Sequence, residues 1–411
     1  MNVLALGALA VGAAAQANIY TATAAADVAA AAATAKTAQP TSNVKGKVFD
    51  RFVTIWMENT DFSKAEADPN LQWLAAQGVT LNNYFGVTHP SEPNYVAAIG
   101  GDNFGMDNDN FNQISSNVST VVDLLEDKGI SWSTYQEDMP YTGFEGMAYV
   151  NQQTKANDYV RKHHPSIIYD ANTTPERLTY QKNLTMFYKD LAEDKLPQWL
   201  FITPNMTSDG HDTSVTTAGT WMRNFLEPLL ANKTSSFWSR TLVLVTFDEN
   251  HTYTTGNRVF SFLLGDALPH SLIGTTDAHF YNHYSEIATV EANWNLHTLG
   301  RWDVGANVFE NVGSKTGDHI RAVDAITSDN PTKFLNSSYA GPFNTGFQKA
   351  AYPAPNLNIK SPHSLRTVLP AIVAAWGGNS KTNVGKASIY TAGSDIADGQ
   401  HPPAGYAVNP A

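Results

Sequence analysis

The chain has 411 residues, a formal net charge of −12 and no cysteine. An acidic balance with a pI near 5.4 disfavours nucleic acid and anionic membrane surfaces as partners, and no apolar run is long enough to span a bilayer as an integral segment. With 42% hydrophobic and 11% aromatic residues, the chain can bury a core that does not need disulfides, in one large domain or two ordinary ones.

Residues 1–17 are apolar and alanine-rich, lack a positive charge at the start, and end in Ala15-Gln16-Ala17, a small-x-small cleavage pattern. They read as a secretory signal peptide. Residues 18–46 stay Ala/Thr-rich and read as a disordered or processed leader. The remainder, 47–411, reads as a single catalytic domain with a C-terminal tail and no internal repeat. Sequons at Asn117, Asn172, Asn183, Asn205, Asn232, Asn250 and Asn336 point to N-glycans and agree with secretion to the extracellular space or cell wall. Asn205 and Asn250 lie inside motifs and are not expected to carry glycan.

Residues 48–57 (V-F-D-R-F-V-T-I-W-M) form a β-branched and aromatic run, a predicted buried strand ending at Glu58-Asn59. A helix is predicted over 64–77, stopped by Gly78, and a strand over 79–85. Residues 87–101 (V-T-H-P-S-E-P-N-Y-V-A-A-I-G-G) hold Ser91 between Pro90 and Pro93, which fix φ and make a rigid turn, with a helix beginning near 96–99. A charged serine at a helix start is stabilised by backbone N–H groups and the macrodipole. A helix over 120–128 and a strand over 130–136 follow, and then a loop-rich stretch, 137–175, with Lys162-His163-His164-Pro165. The pattern then predicts helix over 174–193, strand over 198–203, helix over 216–230, strands over 241–247 and 258–264, and helix over 284–300.

Strands alternating with helices predict an α/β fold, a mostly parallel central sheet with helices on both faces. In such sheets ligands bind beyond the carboxyl ends of the strands. Polar clusters follow the predicted strands there: Glu58-Asn59, Pro204-Asn205 with Asp209-Gly210-His211-Asp212, and Asp248-Glu249-Asn250-His251. Asp248-Glu249 after a wholly apolar strand calls for a cation, and Glu58-Asn59 offers the same hard oxygen ligands. Oxygen donors alone suit Mg, Ca or Mn; zinc or iron would want imidazole as well, so the identity of the divalent metal stays open. Four of the histidines have contexts compatible with catalysis: His211 in its Asp-Gly-His-Asp turn, His163, His283 and His89. Of these, His211 is favoured as the group that protonates a leaving oxygen.

The pieces W-M-E-N-T-D-F, T-H-P-S-E-P-N-Y, R-K-H-H-P, I-T-P-N-M-T-S-D-G-H-D, V-T-F-D-E-N and H-Y-S-E-I-A-T-V-E, in this order from Trp56 to Glu291, resemble the phosphoesterase family. That family contains fungal secreted acid phosphatases and bacterial phosphatidylcholine-type phospholipases C, and lies in the alkaline phosphatase superfamily. The H-P-S-x-P-N-Y version is most similar to the fungal acid phosphatases. The resemblance implies an alkaline-phosphatase-like fold, with Ser91 as a nucleophile forming a phosphoserine. It also implies a divalent metal on Glu58, Asn59, Asp248 and Glu249 that touches Ser91, with His163, His211 and His283 around the phosphoryl oxygens or acting as acid. Tyr95 stands where sulfatases need arginine, which argues against sulfate esters.

The expected activity is hydrolysis of small phosphate monoesters, favoured at acidic pH where a histidine is charged. A phosphodiesterase or phospholipase C is the second reading, and a non-catalytic cell-wall glycoprotein the third. The sequence leaves natural substrate and oligomeric state open.

Overall fold

The computed structural model describes residues 23–232, 235–322, 338–346, 351–377 and 388–390, with the backbone alone at 408–409. The expected signal peptide and the Asn336 sequon lie outside the described residues.

Strands β1 (Arg51–Met57), β2 (Val79–Phe85), β3 (Trp132–Gln136), β4 (Gln181–Asn183), β5 (Trp199–Thr203), β6 (Thr241–Phe247), β7 (Arg258–Leu264), β8 (Thr275–Asp277) and β9 (Tyr281–Asn282) form one sheet. Its order is β8-β2-β7-β6-β1-β5-β3-β4, with β9 also paired to β2. The middle of this sheet is parallel, and β7 alone runs against its neighbours β2 and β6. All seven residues of β6 are buried, as a strand covered on both faces requires.

Helices α1 (Ala25–Ala32), α2 (Phe62–Ala67), α3 (Pro69–Ala75), α4 (Ser91–Gly100), α5 (Val121–Asp127), α6 (Pro175–Leu178), α7 (Thr185–Ala192), α8 (Val215–Ala231), α9 (Tyr284–Trp294) and α10 (Glu310–Thr316) surround it. They cover both faces: α2, α3 and α8 pack on one another, as do α4, α9 and α10. The second group meets the sheet where Trp56 Nε1 donates to Glu286 Oε1 at 3.1 Å.

Four predicted helices differ, each for a local reason. The helix over 64–77 is two helices, because Pro69 cannot continue α2 and Asp68 instead caps α3, accepting from Asn70 N and Leu71 N. The helix over 174–193 is interrupted by β4, whose residues pair with β3 in register Thr134↔Gln181. Helix α9 ends at Trp294, where Asn295 takes a left-handed φ of 50°, rather than running to Gly300. Helix α4 begins at Ser91 itself, not near 96–99.

The leader also differs from expectation over the part the structure describes. Val28 on α1 is buried with Met139, Phe144 and Tyr159. Ser42 Oγ donates to Gln198 Oε1 at 2.6 Å and lies 2.8 Å from Ser131 Oγ, fastening the segment to the residues just before β5 and β3. Three sequon asparagines, Asn172, Asn205 and Asn250, are buried, so the folded chain has no room for glycan at them; Asn232 is exposed.

Candidate active site

Strands β6, β1 and β5 are adjacent and parallel, so their carboxyl ends lie side by side. Met57 pairs with Phe247, which sets Glu58 and Asp248 at the same height, and Asp248 N donates to Met57 O at 3.0 Å. Past β5 the chain returns so that Glu58 N donates to Asp209 O at 3.1 Å. Three runs far apart in sequence thus deliver Glu58, Asp209, Asp248 and Glu249 to one edge.

Ser91 reaches that edge from β2. Asn94 shapes the turn: its Oδ1 accepts from Val87 N at 2.7 Å and Thr88 N at 3.1 Å, and its Nδ2 donates to Thr88 O and Pro90 O. Gly86 is required by close approach, since a Cβ there would lie 2.6 Å from the Asp248 carbonyl oxygen. Ser91 Oγ then donates to Glu58 Oε2 at 3.3 Å and lies 3.5 Å from Asn59 Oδ1. Asn59 N donates to Asp248 Oδ1 at 3.1 Å. The residues expected to hold a metal therefore gather around the expected nucleophile. Glu249 is fully buried, its Oε2 2.5 Å from His89 Nδ1.

The histidines fall into different places. His163 Nε2 is 3.2 Å from Glu58 Oε1 and its Nδ1 is 3.7 Å from Asp209 Oδ2, so it sits against the carboxylates. Its ring stacks on Tyr95, whose hydroxyl donates to Glu58 Oε1 at 2.5 Å. His211 lies at the rim: its Nδ1 is 2.7 Å from Asp212 Oδ1, and its side chain is 26% exposed against 3% for His163. The His163 and His211 ring centroids are 5.8 Å apart. His283 is set behind the cluster, its Nε2 2.6 Å from the Asp248 carbonyl oxygen and its ring against Trp56. Burial pushes its pKa down to about 3, so it is held neutral and donates through Nε2 to that carbonyl. In this placement His283 supports the Asp248 backbone.

Burial, and then the charge of neighbouring Asp248, hold Glu58, Asp209 and Glu249 well above the usual carboxylate range. Burial likewise lifts Asp248 to about 6, against the hydrogen bonds it receives. Acids packed so closely repel one another unless a cation lies among them. Asp209 Oδ2 and Asp248 Oδ2 are buried without a hydrogen-bond partner. Single ligand atoms of Glu58, His163 and Asp209 lie within 4.8 Å of one another. The cluster fits a divalent cation, and its donor set includes an imidazole, unlike the oxygen-only set read from the sequence. The imidazole admits zinc and iron beside manganese on ligand type.

The sequence reading placed Asp209 in a polar turn without a role, and missed Tyr95 as a partner of Glu58. A carboxylate two residues before His211 was the visible signal for the first; nothing local pointed to the second.

The Phosphoesterase family model matches residues 39–297. The chain belongs to this family. An acid phosphatase from Aspergillus fumigatus is 55% identical over 77% of this chain and 69% of its own length. A phosphate-repressible acid phosphatase from Penicillium chrysogenum is 51% identical over 84% of this chain and 82% of its own. Among solved structures, a protein in the alkaline phosphatase superfamily from Vibrio parahaemolyticus overlaps 67% of this chain and 76% of its own at 12% identity, with a TM-score of 0.38. That overlap is too loose to carry any of the argument.

Behind the site, Glu286 accepts from Trp56 Nε1 and Tyr84 Oη, both at 3.1 Å. Burial raises its pKa from the ordinary 4.5 to about 8. A raised folded-state value contributes stability that is complete below the unfolded pKa and is lost as pH rises through the folded one. The window here runs from about 4.5 to about 8. Urea unfolding of wild type and Glu286→Gln should therefore diverge with pH. Wild type should lose more stability than the variant between those limits, on the order of a few kcal/mol. Parallel pH curves would show that Glu286 stays ionised in the fold.

Proposed function

We propose that the chain is an acid phosphatase that hydrolyses phosphate monoesters through a phosphoserine on Ser91, assisted by a divalent metal. The observation that carries this is one arrangement: a buried serine hydroxyl at the first turn of α4, facing Glu58 and Asn59 amid partnerless carboxylate oxygens. The names of the fungal relatives support the acid phosphatase activity. Glu58, Asn59, Asp209, Asp248, Glu249 and His163 are the residues that would hold the metal. Bound there, it would supply positive charge for the phosphoryl oxygens and favour the ionised serine.

The rest falls to the chain's own groups. Ser91 Oγ forms the bond to phosphorus, and its proton has an acceptor already in contact at Glu58 Oε2, 3.3 Å away. The bond from phosphorus to the leaving oxygen breaks, and His211, held through Nδ1 by Asp212, delivers a proton from Nε2 to that oxygen. Water, giving a proton to His211, then attacks phosphorus, and the bond to Ser91 Oγ breaks as the proton on Glu58 returns to the serine. Helix α4 favours the charged serine through its N-terminal amides.

Acid quenching of enzyme mixed with an aryl phosphate monoester is the test. Label on Ser91 is expected; its absence during rapid turnover overturns the reading. Turnover of a diester or sulfate in preference to the monoester would move the substrate class.

His211→Ala adds a sharper result. An alkyl phosphate, which leaves as a basic alkoxide, should slow by about 10²–10⁴-fold, and a nitrophenyl phosphate far less. Equal losses on both would mean that His211 binds phosphoryl oxygen or only holds its loop.

We also place the enzyme outside the cell, on the strength of its apolar, alanine-rich start and of exposed Asn232, which begins a sequon. Among the described residues no helix is long and apolar enough to cross a membrane.

A further inference from the structure

Lys162 lies at the mouth of the acidic cluster with no part in the arrangement above. Its Nζ is 2.9 Å from Asp109 Oδ2, with 16% of the lysine side chain and 27% of the aspartate exposed. The other oxygen of Asp109, Oδ1, accepts from Glu92 N at 3.0 Å, and that amide is the one joined directly to Ser91. The next residue along is His163, which faces Glu58 and Asp209. Lys162 is thus anchored on one side to the start of α4 and on the other to the wall of the cluster. Its neighbour Arg161 is buried and turned away, donating to the carbonyls of Glu145 and Ile167.

Charge favours a further cation from the chain here. Glu58, Asp209, Asp248 and Glu249 are four carboxylates, and a single divalent cation leaves them in excess. A phosphate monoester brings about two more negative charges. Lys162 directly precedes His163, which meets Glu58 and Asp209, and its partner Asp109 bonds the amide that follows Ser91, so the lysine stands between the carboxylates and the serine turn. Its flexible stem lets it change partner at little cost, and Asp109 is not stranded when it does, since Asp109 is partly solvated and keeps Glu92 N.

We propose that Lys162 is a phosphoryl-oxygen ligand, leaving Asp109 to bind a non-bridging oxygen of a phosphate monoester dianion or of the phosphate product. This rests on the reading of the acidic cluster as the place where a phosphate monoester binds. It selects for monoesters, because a diester has one fewer charged oxygen to offer.

The test is titration calorimetry of the metal-loaded enzyme with inorganic phosphate, which reads binding without needing turnover. Lys162→Gln should weaken phosphate binding by about 10- to 100-fold, the range for a hydrogen bond to a charged group. Metal content and melting temperature should stay at wild-type values, and Lys162→Arg should recover most of the loss. Asp109→Asn provides an independent sign. Removing the competing carboxylate should tighten phosphate binding by about 3- to 10-fold, because more of the lysine is then free to bind. Unchanged phosphate affinity in Lys162→Gln overturns the proposal, as does a loss matched by loss of metal, or weaker binding in Asp109→Asn. If wild type binds phosphate as described yet forms no phosphoserine, the catalytic reading fails while the Lys162 site stands.

Discussion

Ser91→Ala is expected to lower turnover of phosphate monoesters by roughly four to six orders of magnitude, the scale on which removing a catalytic nucleophile acts. The fold should be untouched. The hydroxyl's contacts with Glu58 and Asn59 are long, at 3.3 Å and 3.5 Å, and the turn before α4 is held by Asn94 rather than by Ser91. Loss of one such hydrogen bond costs about 1 kcal/mol or less, so the melting temperature should move little. Metal content should also persist, because the carboxylates remain. The decisive measurement pairs steady-state turnover with acid-quench labelling on the same preparation. Rapid turnover without label would mean direct attack by water, with Ser91 only lining the site.

Asp248→Asn and Glu58→Gln should change stability in opposite directions with and without metal. In metal-free protein the wild-type acids are buried together and repel, so neutralising one of them should raise the melting temperature. In metal-loaded protein the same change removes a ligand, and activity and metal content should fall together. A ligand present at about 1,000 times its dissociation constant stabilises by about 4 kcal/mol, so chelator should lower the wild-type melting temperature by several degrees. Both variants should lose most of that response. Elemental analysis and thermal melts with and without chelator read all of this. A variant that keeps full metal content, or that is destabilised equally in both states, would show that its carboxylate serves the fold instead of the ion.

The central strands were legible because burial on both faces imposes an unbroken apolar run. Thr241–Phe247 and Trp199–Thr203 could hardly be anything else, and the polar residues directly after them marked the edge where chemistry gathers. Strand β4 was not legible. Q-K-N has no strand pattern of its own and is extended because β3 offers an open edge beside it. The split at Asp68-Pro69 was written in the sequence by a proline and its capping aspartate, and the apolar spacing of Leu71 and Leu74 outweighed it in the reading.

The sequence by itself determined the chemistry available: a serine held between prolines, two acidic pairs after apolar strands, and histidines in polar turns. These are local facts, set by residue type and backbone restriction over a few positions. Only the tertiary structure decided which of those groups meet. The parallel pairing of β6, β1 and β5 brought Glu58, Asp209 and Asp248 together from segments up to 190 residues apart (248 − 58), and no local pattern encodes that register. The same packing sorted the histidines. His163 came to lie against the carboxylates, His211 at the rim, and His283 behind the Asp248 backbone, where burial keeps it neutral. In sequence all three look alike, because distance and solvation, which decide what an imidazole can do, are properties of the folded chain.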